Sequence, residues 1–281
     1  MAPADAHLDP LIRKLESIAP VLDDEKRAIA ALPITVRDLR GDQDILRDQD
    51  RPSQCCVILK GFACRYKVLP GGRRQIVSFH IPGDIPDLQS LHLEVMDHSL
   101  ATVVASKVAF IPHEAVRSFL RAHPRIADVF WRDTLIDAAV FREWVVNVGR
   151  REAYGRISHL LCEVYVRLKA VGLANGQAFE MPVTQAELGD ATGMSAVHVN
   201  RTLQELRRGG LISTPKSGRV VIEKWDGLQQ AGEFDANVGR REAYGRISHL
   251  LCEVYVRLKA VGLANGQAFE MPVTQAELGD A

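Results

Sequence analysis

The sequence predicts an α+β protein: an antiparallel β sandwich or barrel, then a long helix, then a compact pair of helices with a β wing. Three observations carry that prediction. Between about residues 34 and 112, short β-rich runs ("CCVILKGFACRYKVL", "RQIVSFHI", "LATVVASKVAFIP") are separated by Gly, Pro and Asp turns such as "PGGR" and "PGD". From Pro124 the apolar residues return to a helical period. Further on, "VTQAELGDATGMSAVHVNRTLQELRRGGLISTPKSGRVVIEKW" reads as helix, turn, helix and hairpin.

A chain of 281 residues has room for two domains with their own cores. Its formal net charge is zero, so any affinity for nucleic acid must come from a local patch and not from a global field. No apolar run approaches the roughly 20 residues that span a bilayer, and "MAPADAHLDP" lacks the features of a signal peptide. A cytoplasmic location with no membrane partner is the expectation. The cysteines (Cys55, Cys56, Cys64, Cys162 and Cys252) have no zinc spacing and read as free thiols of a reducing compartment. No cofactor is expected.

The N-terminal segment reads as helical. Leu8, Leu11, Ile12, Leu15 and Ile18 fall at helical spacing, and "DDEKRAIAAL" opens with acids that suit a helix N-terminus. In the long helix, Phe130, Thr134, Asp137, Phe141, Trp144 and Val148 alternate spacings of four and three, a heptad seam suited to a second copy of the chain. Trp131, Leu135, Ala138 and Val145 widen this face. The next helix, "REAYGRISHLLCEVYVRLKAVGL", carries Ile157, Leu160, Leu161, Val164, Tyr165 and Leu168 on one side and is stopped by Gly172 and "ANGQ".

In the helix pair, Thr184 is placed to cap a helix whose apolar contacts are Ala186, Leu188 and Ala191. Gly193 sits where a tight turn needs positive φ, and Ser195 caps the second helix. Val199, Leu203 and Leu206 face the core, which turns Ala196, His198, Asn200, Arg201 and Gln204 elsewhere. Lys216, Ser217 and Gly218 form the hairpin tip. A major groove admits such a helix. Arg can bond guanine at two points, and Asn adenine likewise. The capped first turns, with Lys216 and Arg219, suit phosphates. Double-stranded DNA is therefore the predicted partner, through Thr184, Gln185, Ser195, Ala196, His198, Asn200, Arg201, Gln204, Lys216 and Arg219. Between Ser195 and Leu228, Arg201, Arg207, Arg208, Lys216, Arg219 and Lys224 face only Glu205, Glu223 and Asp226.

With these residues in place, the chain resembles the Crp/Fnr superfamily of bacterial transcription regulators. The resemblance rests on "TQAELGDATGMS", "NRTLQELRRGGLI", "LKGFACRY", "GRRQIVSFHIPGDI" and "ATVVASKVAFIP", and covers roughly residues 8–235. It implies a double-stranded β-roll (jelly-roll-like) sensor domain with N-terminal helices at 1–123 and a long dimerisation helix at 124–149. A winged helix-turn-helix follows at 150–235. It further implies a homodimer on a palindromic operator, with RNA polymerase as a candidate further partner and no enzymatic activity.

The chain departs from the family where nucleotide binders carry "GE" and, some ten residues on, "RS". Here the stretch is "IPGDIPDLQSLHLEVMDHSLAT", so Gly83, Asp84, Asp87, His98 and Ser99 are the candidate effector-pocket residues. A neutral His is a poor phosphate clamp, so cyclic AMP is not the expected signal. No Cys precedes Cys55, and Cys55 and Cys56 point to opposite faces of a strand, which does not suit an iron–sulfur cluster. His80, His92, Met96 and His98 read as loop and strand surface and not as haem ligands. Many relatives have Glu where this chain has Val197, which cannot accept a hydrogen bond from cytosine. A metal-dependent enzyme on a related β scaffold would need an HxH pair with a distant Glu and His, and that spacing is missing.

Residues 147–191 recur letter for letter as residues 237–281. The second copy stops before the turn glycine, the capping serine, the reading helix and the wing. Residues 236–281 therefore read as a duplicated appendage unable to read a base edge. The alternative function is an effector-binding β-roll protein whose DNA binding this duplication impairs. Truncation after Asp235 is expected to leave specific DNA affinity and melting temperature nearly unchanged; loss of specific binding, or a melting point many degrees lower, would make the tail a working part.

Overall fold

The computed structural model describes residues 8–235; the repeated segment, with the appendage reading, lies outside them. Two short helices, α1 (Asp9–Glu16) and α2 (Asp23–Ala30), lead into seven strands: β1 (Thr35–Leu39), β2 (Asp44–Leu46), β3 (Gln54–Lys60), β4 (Ala63–Val68), β5 (Arg74–His80), β6 (Ser99–Thr102) and β7 (Ser106–Pro112). They form two antiparallel sheets, β1-β7-β3 and β2-β6-β4-β5. This is the expected double-stranded β-roll. The strand alternation is visible at the paired cysteines. Cys55 and Val57 pack with Leu8, Leu11 and Leu15 of the N-terminal helix, while Cys56 and Ile58 pack with Met96, Leu100 and Val108. Strands β1 and β2 escape the sequence reading because charged residues break their apolar pattern.

Beyond the roll, α3 (His113–Ala122) leads into the long helix α4 (Pro124–Arg150), which opens on proline, a residue suited to a first helical turn. Next come α5 (Ala153–Ala170), β8 (Ala174–Asn175), β9 (Ala178–Glu180), α6 (Gln185–Thr192), α7 (Ala196–Arg208), β10 (Ile212–Ser213), β11 (Arg219–Ile222) and α8 (Trp225–Ala231). The sheet order β10-β11-β9-β8 makes the wing larger than the predicted hairpin, because "ANGQAFE" pairs with β11 as well as stopping α5. No helix among the described residues is long and apolar enough to cross a membrane.

The α4 seam predicted from spacing does not face one way. Phe130, Asp137 and Trp144 turn inward, whereas Thr134 and Phe141 turn out and Val148 is half-buried. Phe130 joins the N-terminal core. Asp137 accepts from Arg65 of β4 at 2.6 Å. Trp144 meets Phe79 of β5 edge to face at 5.8 Å and donates Nε1 to Glu163 at 2.7 Å. A helix apolar on more than half its circumference has no boundary that spacings of three and four can locate. The outward apolar stripe is Trp131 (64% exposed), Leu135, Ala138, Phe141 and Val145.

The β-roll, α4 and the C-terminal domain meet at a buried ion cluster. Arg167 of α5 donates to Asp84 at 2.6 Å, to Glu163 at 3.0 Å and to the Phe79 carbonyl at 2.9 Å. Lys14 of α1 reaches Asp84 at 3.0 Å and Asp133 of α4 at 3.3 Å. His80 Nδ1 lies 3.5 Å from Asp84. Burial opposes the Asp84 charge, but Lys14, Arg167 and His80 outweigh it and hold the carboxyl well below its ordinary range. Burial likewise opposes the Arg167 and Lys14 charges, and their carboxylate partners overcome it.

The junction yields one prediction and the buried histidines another. Arg167→Met keeps most of the apolar stem and leaves Asp84 short of a partner, so it is expected to cost about 3–5 kcal/mol in urea unfolding at pH 7. Adding Asp84→Asn should return part of that loss. The second concerns acid. Burial, then Arg65, depress His80 to about 4, and burial, then Arg151, depress His159 to about 4, from an ordinary 6.5. Both are neutral in the fold, so protonation favours the unfolded chain and stability falls from about pH 6.5 towards 4. Asp87 opposes this, because burial raises it to about 7 and its contribution fades as pH rises to that value. His98 and His113, also depressed by burial, stand on the histidine side, and Asp133 and Glu163, also raised by burial, on the carboxyl side, so the histidines outnumber the carboxyls and leave a net fall on acidification. His159→Gln should flatten it in melting curves taken across this pH range.

Candidate nucleic-acid interface

The helix pair is built by local hydrogen bonds that its sequence specifies. Thr184 Oγ1 accepts from the Glu187 backbone N–H at 3.2 Å, and Glu187 Oε2 accepts from the Thr184 N–H at 2.7 Å, closing a capping box on α6. Ser195 Oγ accepts from the His198 N–H at 3.2 Å and caps α7. Gly193 ends α6 at φ 70°, the left-handed conformation the turn requires. Gly189 is needed as well: a Cβ there would meet the Met194 carbonyl at 2.5 Å, so the turn between the helices passes α6 more closely than any side chain allows.

The inward face of α7 is Val199, Leu203 and Leu206, as the spacing predicts. Leu188 and Ala191 of α6 are buried too. Ala186 is exposed, against expectation, because two residues of helix turn it some 200° away from Leu188. Of the predicted DNA contacts, Thr184, Gln185, Ser195, Ala196, Arg201, Gln204 and Lys216 are exposed. His198, Asn200 and Arg219 are half-buried. Asn200 Oδ1 accepts from Gln185 Nε2 at 3.4 Å, and Arg201 lies 3.9 Å from Glu205, a loose pairing that leaves both reading side chains accessible.

The charge count missed one acid. Glu180, at the end of β9, lies 3.4 Å from Lys216 and 3.5 Å from Arg219, holding both wing cations on the sheet. Only the pairing of β9 with β11 brings it there; Glu180 and Arg219 are cross-strand partners. The C-terminal end of α6 is also fixed. Arg156 of α5 donates to the Thr192 carbonyl at 2.9 Å. On the β-roll side, Arg74 donates to Asp190 at 2.7 Å and Gln75 to the Ala191 carbonyl at 3.3 Å.

This geometry agrees with the comparisons to known proteins. The chain matches the Crp-like helix-turn-helix domain family over residues 155–231 and the cyclic nucleotide-binding domain family over residues 36–123. It belongs to the Crp/Fnr superfamily. The transcriptional activator protein FnrL of Cereibacter sphaeroides is 24% identical over 209 residues, 72% of this chain and 82% of its own. The nitrogen fixation regulation protein FixK of Azorhizobium caulinodans is 24% identical over 233 residues, 82% of this chain and 93% of its own. The solved structure of FixK2 from Bradyrhizobium japonicum shares the fold, with a TM-score of 0.65 at 22% identity, covering 71% of this chain and 98% of that one.

In this Crp/Fnr chain the effector-pocket candidates Gly83, Asp84, Asp87 and His98 are buried and Ser99 is half-buried, each engaged within the fold. Gly83, at φ +100°, passes so close under α1 that a Cβ would meet the Pro10 carbonyl at 2.4 Å. Asp84 serves the ion cluster. Asp87 accepts from the Cys56 N–H at 2.8 Å. His98 pairs with Asp97 at 2.7 Å and Gln89 at 3.3 Å. Ser99 accepts from the Asp48 N–H at 3.0 Å. The expectation that His80, Met96 and His98 lie at the surface is also corrected: all three are buried in the roll, and only His92 is exposed. The sequence concealed this because a buried His or Met next to loop residues has no periodic signature.

Proposed function

We propose that this protein is a homodimeric transcription regulator that places α7 in the major groove of each half of a palindromic operator. The observation that carries this reading is the outward face of α7. Asn200, Arg201 and Gln204 stand there on a helix capped at its first turn, beside Lys216 and Arg219 of the wing. Arg and Asn are the side chains that bond guanine and adenine at two points, and lysine and arginine neutralise phosphate. The outward stripe of α4, Trp131, Leu135, Ala138, Phe141 and Val145, supplies an apolar seam for a second copy. In this reading residues 1–123 form the sensor domain, 124–149 the dimer helix, 150–235 the DNA-binding domain and 236–281 an appendage. The signal is one other than cyclic AMP, and the protein works in the cytoplasm.

Selection of bound genomic fragments followed by gel shift tests the reading, and absence of any specifically retained fragment would sink it. Within a selected site, Arg201→Ala is expected to lose discrimination at one guanine per half-site, costing about 1–3 kcal/mol. Equal losses on specific and random DNA would make Arg201 a phosphate contact instead.

A further inference from the structure

Val197 is the most exposed large apolar side chain among the described residues, at 80%. It occupies the second position of α7, two residues after the capping Ser195. Asn200, Arg201 and Gln204 follow it at three, four and seven residues, so all four share one helix face. The opposite face is the buried Val199, Leu203 and Leu206. Nothing within the fold accounts for an apolar, β-branched residue in this place. Valine is a poorer helix former than alanine, and Val197 contributes no core packing.

We propose that Val197 is a binding site for the 5-methyl group of a thymine in the major groove. The inference rests on the DNA-binding reading above and adds to it what the operator must contain. In the major groove the thymine methyl is the one apolar feature that distinguishes a base edge, and apolar side chains are its natural contact. The restricted χ1 of valine presents its two methyls in a nearly fixed direction, so little side-chain freedom is lost on contact. The surroundings favour DNA over an apolar protein partner. Val197 is flanked by Asn200, Arg201 and Gln204, with the cationic Lys216 and Arg219 on the same domain, and this arrangement is complementary to a polyanion carrying base edges and not to a hydrophobic surface. Val197 has no acceptor to offer a cytosine amino group, as a carboxylate in its place would, and so leaves thymine as the base it can tell apart. The half-site therefore carries a T·A pair beside the guanine that Arg201 reads.

The test uses the full-length protein and a genomic fragment that it retains specifically, with each thymine replaced in turn by deoxyuridine, which lacks only the methyl. One position per half-site should weaken binding about fourfold, the effect of leaving one methyl unburied. Val197→Ala, whose single methyl lies closer to the helix, should narrow the difference between thymine and uracil at that position and keep its guanine preference. Val197→Glu should shift the preference there towards cytosine. The exposure of Val197 leaves both variants free to fold, which unchanged melting temperatures will confirm. The inference is overturned if every uracil is tolerated, or if the loss at the sensitive position persists undiminished in Val197→Ala. If no fragment is retained specifically, the DNA-binding reading fails and this one with it, a result distinguishable because no complex forms on any thymine-containing site.

Discussion

Asp84 holds the molecule together. It lies just beyond the end of β5, buried, and is approached by Lys14 from the N-terminal helix, Arg167 from the C-terminal domain and His80 from its own strand. Three charged groups brought out of water, Asp84, Lys14 and Arg167, are tolerable only when they satisfy one another. That condition forces the ends of α1, β5 and α5 into a single arrangement. Around it the contacts agree: Phe79 meets Trp144 edge to face, and Glu163 receives both the Trp144 indole and the Arg167 guanidinium. The outcome is a β-roll and a C-terminal helix-turn-helix domain that share a junction and are not merely tethered by a linker.

This junction bears on function because it sets where the reading helix stands. Helix α5 carries Arg167 into the cluster and, one turn into its N-terminal part, Arg156 onto the end of α6. Helix α6 is bonded in turn to β5 through Arg74 and Gln75. A change inside the β-roll that moved β5 would therefore reach α6 by two routes, one through the core and one along the surface. Two of the candidate effector-pocket residues take part in this arrangement: Asp84 is its centre, and Asp87 anchors the neighbouring backbone at Cys56.

What the sequence disclosed, and what it did not, divides along the reach of each interaction. The caps at Thr184 and Ser195, the turn at Gly193 and the buried face of α7 are local features, decided within a few residues, and were legible. The long-range pairings were not. Lys14, Asp84, Asp133 and Arg167 come from distant segments and have no shared periodicity, so nothing in the sequence signals their meeting. Glu180 was missed for the same reason, since only strand pairing sets it opposite Arg219. On α4 the failure was of another kind. Phe130, Asp137 and Trp144 have the right spacing for a seam, but the helix is apolar on two sides, and spacing alone does not tell the side that packs on its own chain from the side left open.

Residue-resolved amide exchange tests most directly whether the junction makes one body of residues 8–235. If it does, amides of β5 and of the central turns of α5 open with the same free energy, and Arg167→Met lowers both by the same amount. If the α5 amides open at lower free energy than those of β5 in the native protein, and Arg167→Met leaves the β5 amides unchanged, the two domains are independent and the account is wrong.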